Sequence, residues 1–87
     1  MDLNACREQI DEIDDELLRL FVDRMGFSGQ VALYKKEHGL PVRNAEREQE
    51  ILRVVEEKCN DELRPYALKL YKTILTLSRE YQESFIS

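Results

Sequence analysis

Cys6, Ile10, Ile13, Leu17, Leu20, Arg24, Phe27 and Val31 follow one another at spacings of 4, 3, 4, 3, 4, 3 and 4. That is the period of one helix face, held without a break through the first third of the chain. Glu8, Asp11, Glu12, Asp15 and Arg19 fall on the other side, as a solvated face requires. The pattern predicts one helix from about Asn4 to His38. Asn4 is the expected N-cap, with Glu8 and Asp11 near the positive end of the helix. Lys35, Lys36 and His38 occupy the last turn, Gly39 can take a left-handed cap, and Pro41 follows. A helix of about 34 residues is roughly 50 Å long at 1.5 Å per residue. A compact chain of this length has a radius of gyration of about 12 Å and a diameter near 30 Å. The helix therefore overhangs its own globule, and its apolar seam continues into the overhang. A second copy of the chain is the simplest cover. The other solution is a break at Gly26 or Gly29, since each Gly costs a helix about 1 kcal/mol against Ala. The same glycines, with Ser28 and Ala32, equally suit a close approach of two helices. The continuous helix is the reading taken here.

Two shorter helical patterns complete the chain, which reads as an all-α fold and a single domain over residues 1–87. The second runs from Asn44 or Ala45 to Lys58, with Asn44 as N-cap and Ile51, Leu52, Val54 and Val55 as its stripe. The third runs from near Asp61 to about Phe85, with Pro65 in its first turn, where a missing N–H is tolerated. Leu63, Ala67, Leu70, Ile74, Leu77 and Tyr81 form its stripe. The linkers, Gly39–Arg43 and Asn60, are short. No run of about 18 apolar residues is present, so no membrane span is expected. The first eight residues lack the basic and apolar regions of a secretory signal, which leads to the expectation of a cytoplasmic protein. Thirteen Lys and Arg against eighteen Asp and Glu give a net charge of −5, which argues against a nonspecific nucleic-acid binder. Cys6 and Cys59 are expected to be free thiols. With one His and no Cys-x-x-Cys pair, no metal site is expected.

Several polar residues stand where apolar ones are due. Arg24 interrupts the seam between Leu20 and Phe27, a costly place for a charge unless it is paired or binds an anion. Lys35 lies eleven residues on, on the same face and roughly 16 Å away along the axis. Ser28 lies between them. Asn44 and Glu48 are one turn apart, beside Arg43 and Arg47. Ser78 and Gln82 are one turn apart near the end of the third helix. Each has an ordinary alternative. Arg24 could pair with an acid of a neighbouring helix. Lys35 could complement the helix C-terminus. Arg47 and Glu48 could form a surface ion-pair set, Ser78 and Gln82 could be surface positions, and Arg7 a solvated first-turn residue. Taken together, cations at apolar-facing positions of an acidic chain form the pattern of an anion pocket between helices.

The ordered set is more specific than any member. Leu3-x-x-Cys6-Arg7-x-x-Ile10-Asp11-x-Ile13-Asp14-x-x-Leu17-Leu18 opens it. Arg24, Val31-Ala32-x-Tyr34-Lys35, Pro41-Val42-Arg43-x-x-x-Arg47-Glu48 and Ser78-x-x-x-Gln82 follow. In this order and spacing the chain resembles the all-helical, AroQ-type chorismate mutases over essentially its whole length. The resemblance implies an intertwined homodimer of three-helix chains with the long first helices antiparallel. It implies rearrangement of chorismate to prephenate, on the way to phenylalanine and tyrosine, with no cofactor and no metal. It also implies roles. Arg7 and Arg24 would clamp the two carboxylates of chorismate. Lys35 and Gln82 would donate to its ether oxygen. Glu48 and Asn44 would hold the ring hydroxyl, Ser78 would help at the ring carboxylate, and Arg47 and Arg43 would support the Lys35–Glu48 region. Arg7 and Arg24 lie about 25 Å apart along one helix, too far to grip one small molecule. The resemblance therefore implies that Arg7 is supplied in trans. Asn44 departs from the family pattern, where many relatives carry Asp, and implies altered affinity rather than lost activity.

Isochorismate-pyruvate lyase is the nearest rival, on the same fold. The Arg43-x-x-x-Arg47-Glu48 set and Gln82 favour the mutase. A noncatalytic helical dimerisation module is the rival of a different class. It gives no reason for these polar residues to stand at these spacings.

Overall fold

The computed structural model describes residues 2–86 and contains three helices among them, with no strand. They are α1 (Leu3–Glu37), α2 (Ala45–Lys58) and α3 (Arg64–Glu83). None of them is long and apolar enough to cross a membrane.

The expected helix boundaries hold within a few residues, with instructive differences. Asp2, not Asn4, caps α1: its backbone is extended, and its carboxylate accepts from the Asn4 N–H at 3.1 Å. Asn4 sits inside the first turn as the donor, because the residue outside the helix is the one free to turn its side chain back. Gly26 and Gly29 do not break α1. The helix ends at Glu37, and beyond its cap Gly39, with φ of 64°, lets Leu40 N–H reach Lys35 O at 2.8 Å and Gly39 N–H reach Lys36 O at 3.5 Å. This paired closure satisfies carbonyls that the helix leaves open and turns the chain sharply. Asn44 caps α2 as expected, accepting from Arg47 N–H at 3.0 Å.

The third helix begins at Arg64, later than expected. Residues 61–63 form a turn, held where Asn60 Oδ1 accepts from Leu63 N–H at 2.9 Å. Arg64 then ties α3 to the end of α2. Its Nε donates to Glu56 O at 2.9 Å and its Nη2 to Cys59 O at 3.0 Å, both carbonyls that the end of α2 leaves unpaired. The helix stops at Glu83, two residues early, as Phe85 and Ile86 turn on tighter bonds to Gln82 and Glu83. Cys6 and Cys59 are free thiols.

α3 is the middle element and packs on both α1 and α2. The buried faces are not the apolar stripes that the spacing picks out. On α1 the buried residues are Ser28, Gly29 and Ala32; on α3 they are Leu75, Ser78 and Gln82. On α1 the buried face is one residue round from the seam, at 28 and 32 rather than 27 and 31. Small side chains let the two backbones approach. A Cβ on Gly29 would stand 3.1 Å from Phe85 Cζ and 3.3 Å from Tyr81 Cε2. Around Gly26 there is open space. The bulky seam, with Ile10, Ile13, Leu17, Leu20, Phe27 and Val31, is exposed along this chain. Every residue from 7 to 20 is exposed. The molecule measures 54 × 25 × 15 Å, with a radius of gyration of 16.0 Å. That exceeds the ~12 Å of a compact chain of this length.

Gly29→Leu should lower unfolding free energy by about 1–3 kcal/mol, since the added side chain meets two aromatic rings at full packing. A urea titration that finds no loss would remove the close-approach reading.

Candidate active site

The C-terminal half of α1, the start of α2 and the C-terminal half of α3 enclose a cavity of about 330 Å³. It is within the range of small-molecule sites. Seven of the nine residues given roles above line it, Arg24, Lys35, Asn44, Arg47, Glu48, Ser78 and Gln82, while Arg7 and Arg43 do not. Phe27, Val31, Val42, Ile51 and Leu75 provide the apolar walls. Arg7 is exposed on the projecting half of α1 and does not reach the cavity of its own chain. A larger groove of about 450 Å³, lined by Ile51, Val54, Val55, Ala67 and Tyr71, lies along α2 and α3. Arg47, Lys58 and Cys59 also line it, but no side-chain carboxylate or amide among the described residues does.

The site is built on a hydrogen-bond chain that crosses from α1 to α3. Ser28 Oγ and Ser78 Oγ share a short bond. Gln82 Nε2 donates to Ser28 Oγ at 2.9 Å and lies 3.5 Å from Ser78 Oγ. Gln82 Oε1 accepts from Lys35 Nζ at 3.2 Å, and Lys35 Nζ also donates to Val42 O at 2.5 Å. Ser78 and Gln82 are buried, so the surface alternative for this pair fails. The alternative for Lys35 fails as well, because its ammonium turns into the cavity rather than towards the last carbonyls of α1. The turn at Gly39 carries Val42 over it.

Lys35 has three N–H groups and two of them are engaged, which leaves one for a ligand. Gln82 has two, of which only one makes a close bond. Arg24 takes part in no ion pair or side-chain hydrogen bond among the described residues, so no acid among them neutralises it. Asn44 uses its carbonyl oxygen as the cap of α2 and keeps its NH₂ as a donor.

Two expectations change. Arg47 pairs with Glu50 at 2.7 Å, three residues on, instead of bracing Lys35 or Glu48, although it still lines the cavity. Arg43 lies 4.0 Å from Glu48 Oε1, a loose approach from an exposed position. The partner of Glu48 is Arg79, at 2.5 Å. Arg79 was not legible in the sequence pattern. It is adjacent to Ser78 in the chain, and nothing in a period of 3.6 separates it from a solvated α3 position. His38 does take the surface role expected of it, donating from Nδ1 to Tyr34 O at 2.8 Å and stacking on the Tyr34 ring.

The sequence that builds this cavity is matched by known proteins. The model of the family chorismate mutase type II covers residues 6–83. The chain belongs to that family. The chorismate mutase of Methanocaldococcus jannaschii is 26% identical over 86 residues, which is 97% of this chain and 87% of the relative. The T-protein of Haemophilus influenzae is 44% identical over 46 residues, 53% of this chain and 12% of the longer protein. No solved structure gives a significant match. Membership of the chorismate mutase type II family agrees with the three-helix architecture, in which α1 alone takes up 35 residues.

Ser28→Ala should cost about 1–3 kcal/mol of stability, because it removes the acceptor of the buried Gln82 amide. A chemical denaturation curve superimposable on that of the unaltered protein would show that this chain of bonds does not hold α1 to α3.

Proposed function

We propose that the protein is a chorismate mutase, an isomerase that converts chorismate to prephenate in the cytoplasm and works as a homodimer. One observation carries this reading: seven of the nine residues given roles, drawn from all three helices and the cap of α2, line one cavity of ligand size. Family membership supports it as well.

The chemistry asks little of nucleophiles. In the Claisen step the ether C–O bond breaks as a C–C bond forms within the same molecule, and no proton leaves. Rate then comes from folding the enolpyruvyl arm over the ring and from stabilising charge on the ether oxygen. The remaining N–H of Lys35 and the second N–H of Gln82 are the donors for that oxygen. Arg24 would take a carboxylate. Glu48 would accept from the ring hydroxyl, and the Asn44 NH₂ would donate to it. Ser78, bonded to the Ser28 hydroxyl that holds Gln82, would help at the ring carboxylate. Arg47 and Arg43 add positive charge to the rim.

The second carboxylate needs a second guanidinium, and Arg7 is roughly 25 Å along α1 from Arg24. Antiparallel pairing of two α1 helices would bring Arg7 of the partner subunit to the cavity. The surface supports a large interface. A folded monomer of this mass exposes roughly 5,400 Å², whereas this chain exposes 7072 Å². Covering the excess in two chains would bury on the order of 3,000 Å², in the range of obligate homodimers. The exposed seam of α1 and the apolar groove on α2 and α3 are the faces available for it.

Purified protein with chorismate and chelator should form prephenate, and Lys35→Ala should lower kcat/KM by at least about 100-fold. Salicylate and pyruvate from isochorismate, without prephenate from chorismate, would instead support the lyase. No turnover of either would leave a noncatalytic dimer. Mixing Arg7→Ala with Lys35→Ala protein should restore part of the activity once subunits exchange, because one site of each mixed dimer is then intact. Verified exchange with no recovery would count against a site shared between chains.

A further inference from the structure

We propose that Arg79 is a positioning residue that sets the carboxylate of Glu48 to receive a ligand hydroxyl; this rests on the mutase reading above. Arg79 Nη1 donates to Glu48 Oε1 at 2.5 Å, and Arg79 Nη2 to Thr76 Oγ1 at 3.3 Å. Thr76 in turn donates to Lys72 O at 3.0 Å, so the guanidinium is itself held by α3. Side-chain exposure is 16% for Glu48 and 27% for Arg79. The ion pair is thus sheltered enough to constrain geometry, unlike the exposed pairs on α1 and α2.

Both cations near Glu48 approach the same oxygen. Arg43 Nη2 lies 4.0 Å from Oε1, on which Arg79 already closes. Oε2 has no partner among the described residues. One oxygen is anchored and the other is open to accept. Glu48 and Arg79 also stand between two cavities. They line the proposed active site, and they line a second hollow of about 310 Å³ bordered by Arg43 and Lys72. Cations on the outer side draw Oε1 that way.

The alternative for an unanchored Glu48 is plain. Lys35 and Arg24 line the same cavity. A free carboxylate there would pair with a cation that the dianionic ligand needs. Arg79 therefore acts twice through one bond. It aims Oε2, and it keeps the negative charge of Glu48 away from Lys35 and Arg24. The guanidinium fork suits this task, because it can hold a carboxylate and a hydroxyl at once.

The test is steady-state kinetics of the dimer with chorismate for Arg79→Met, Arg79→Lys, Glu48→Gln and the double variant Arg79→Met/Glu48→Gln. A hydroxyl grip made equally in ground and transition states appears in KM, so Arg79→Met should raise KM about tenfold and change kcat less than about threefold. Arg79→Lys should recover most of that loss. In the Glu48→Gln background, Arg79→Met should change KM less than about twofold, because the carboxylate it acts through is gone. An unchanged KM in Arg79→Met overturns the proposal. So does a fall in kcat at constant KM, or a loss of equal size with and without the Glu48 carboxylate. If Arg79→Met does not fold, Arg79→Gln takes its place with the same expectations, as it keeps length and a hydrogen bond but not the charge. Absence of prephenate with the unaltered protein overturns the mutase reading itself, and this proposal with it. Turnover by the unaltered protein with any of the contrary results for Arg79 overturns only the proposal.

Discussion

The close approach of α1 to α3 at Gly29 and Ala32 governs the rest of the molecule. Helices with larger side chains at their crossing sit farther apart, and hydroxyls on their flanks then cannot meet. Here Ser28 and Ser78 do meet, and Gln82 closes on both. That fixes the amide of Gln82, whose oxygen takes Lys35. The ammonium of Lys35 also takes Val42 O, which the turn at Gly39 carries back over the end of α1. The linker so placed delivers Asn44, which starts α2, and one turn later Glu48. A glycine and an alanine with no chemistry of their own thus bear on where Lys35, Asn44 and Glu48 stand.

α1 serves two regions that differ in kind. Its C-terminal half is a wall of the cavity and packs on α3. Its N-terminal half carries Ile10, Ile13, Leu17 and Leu20 into solvent. Helical propensity alone does not sustain such a projection with a bulky apolar stripe, since most helical stability comes from packing of one face. Arg24 stands where the two regions meet. It is half-buried, without a partner among the described residues, and lines the cavity. A charge at that point of the seam is compatible with an apolar interface on one side only if an anion arrives on the other. The proposed dimer and the proposed dianionic ligand are therefore linked requirements of the same helix.

The three helices, the N-cap at Asn44 and the cap at Gly39 were legible because they depend on local chemistry and on a period of 3.6. Arg24 and Lys35 were legible because a cation on an apolar face leaves a visible anomaly in that period, and the other five because the ordered set resembles the AroQ-type chorismate mutases. The packing face was not. Periodicity marks Phe27 and Val31, yet Ser28, Gly29 and Ala32 are buried, because close helix contact selects for smallness and a hydrophobicity pattern does not register it. Arg64 and Arg79 were missed for a related reason. Each makes its decisive bonds to another element, with Glu56 and Cys59 or with Glu48, and neither breaks the pattern of its own helix. Arg47 shows the converse. Its place in the motif suggested support for Glu48, but Glu50, three residues on, offers a nearer partner on the same helix.

Among the described residues, no buried side-chain nitrogen or oxygen lacks a hydrogen-bond partner. The interior is thus satisfied, and the uncommitted groups collect at the cavity wall: the guanidinium of Arg24, the third N–H of Lys35, the NH₂ of Asn44 and Oε2 of Glu48. Each belongs to a side chain that is otherwise held, apart from Arg24, whose α1 backbone is fixed by α3. For a unimolecular rearrangement this arrangement matters more than any single donor. Water around free chorismate must reorganise as charge moves to the ether oxygen. Donors that folding has already oriented need not, and that difference is the source of electrostatic rate enhancement. Oriented donors also select one conformation of a flexible ligand, which contributes through entropy. On this view the bonds from Ser28 through Gln82 to Lys35 are part of the catalytic apparatus even where they touch no substrate, since they place the N–H groups that would.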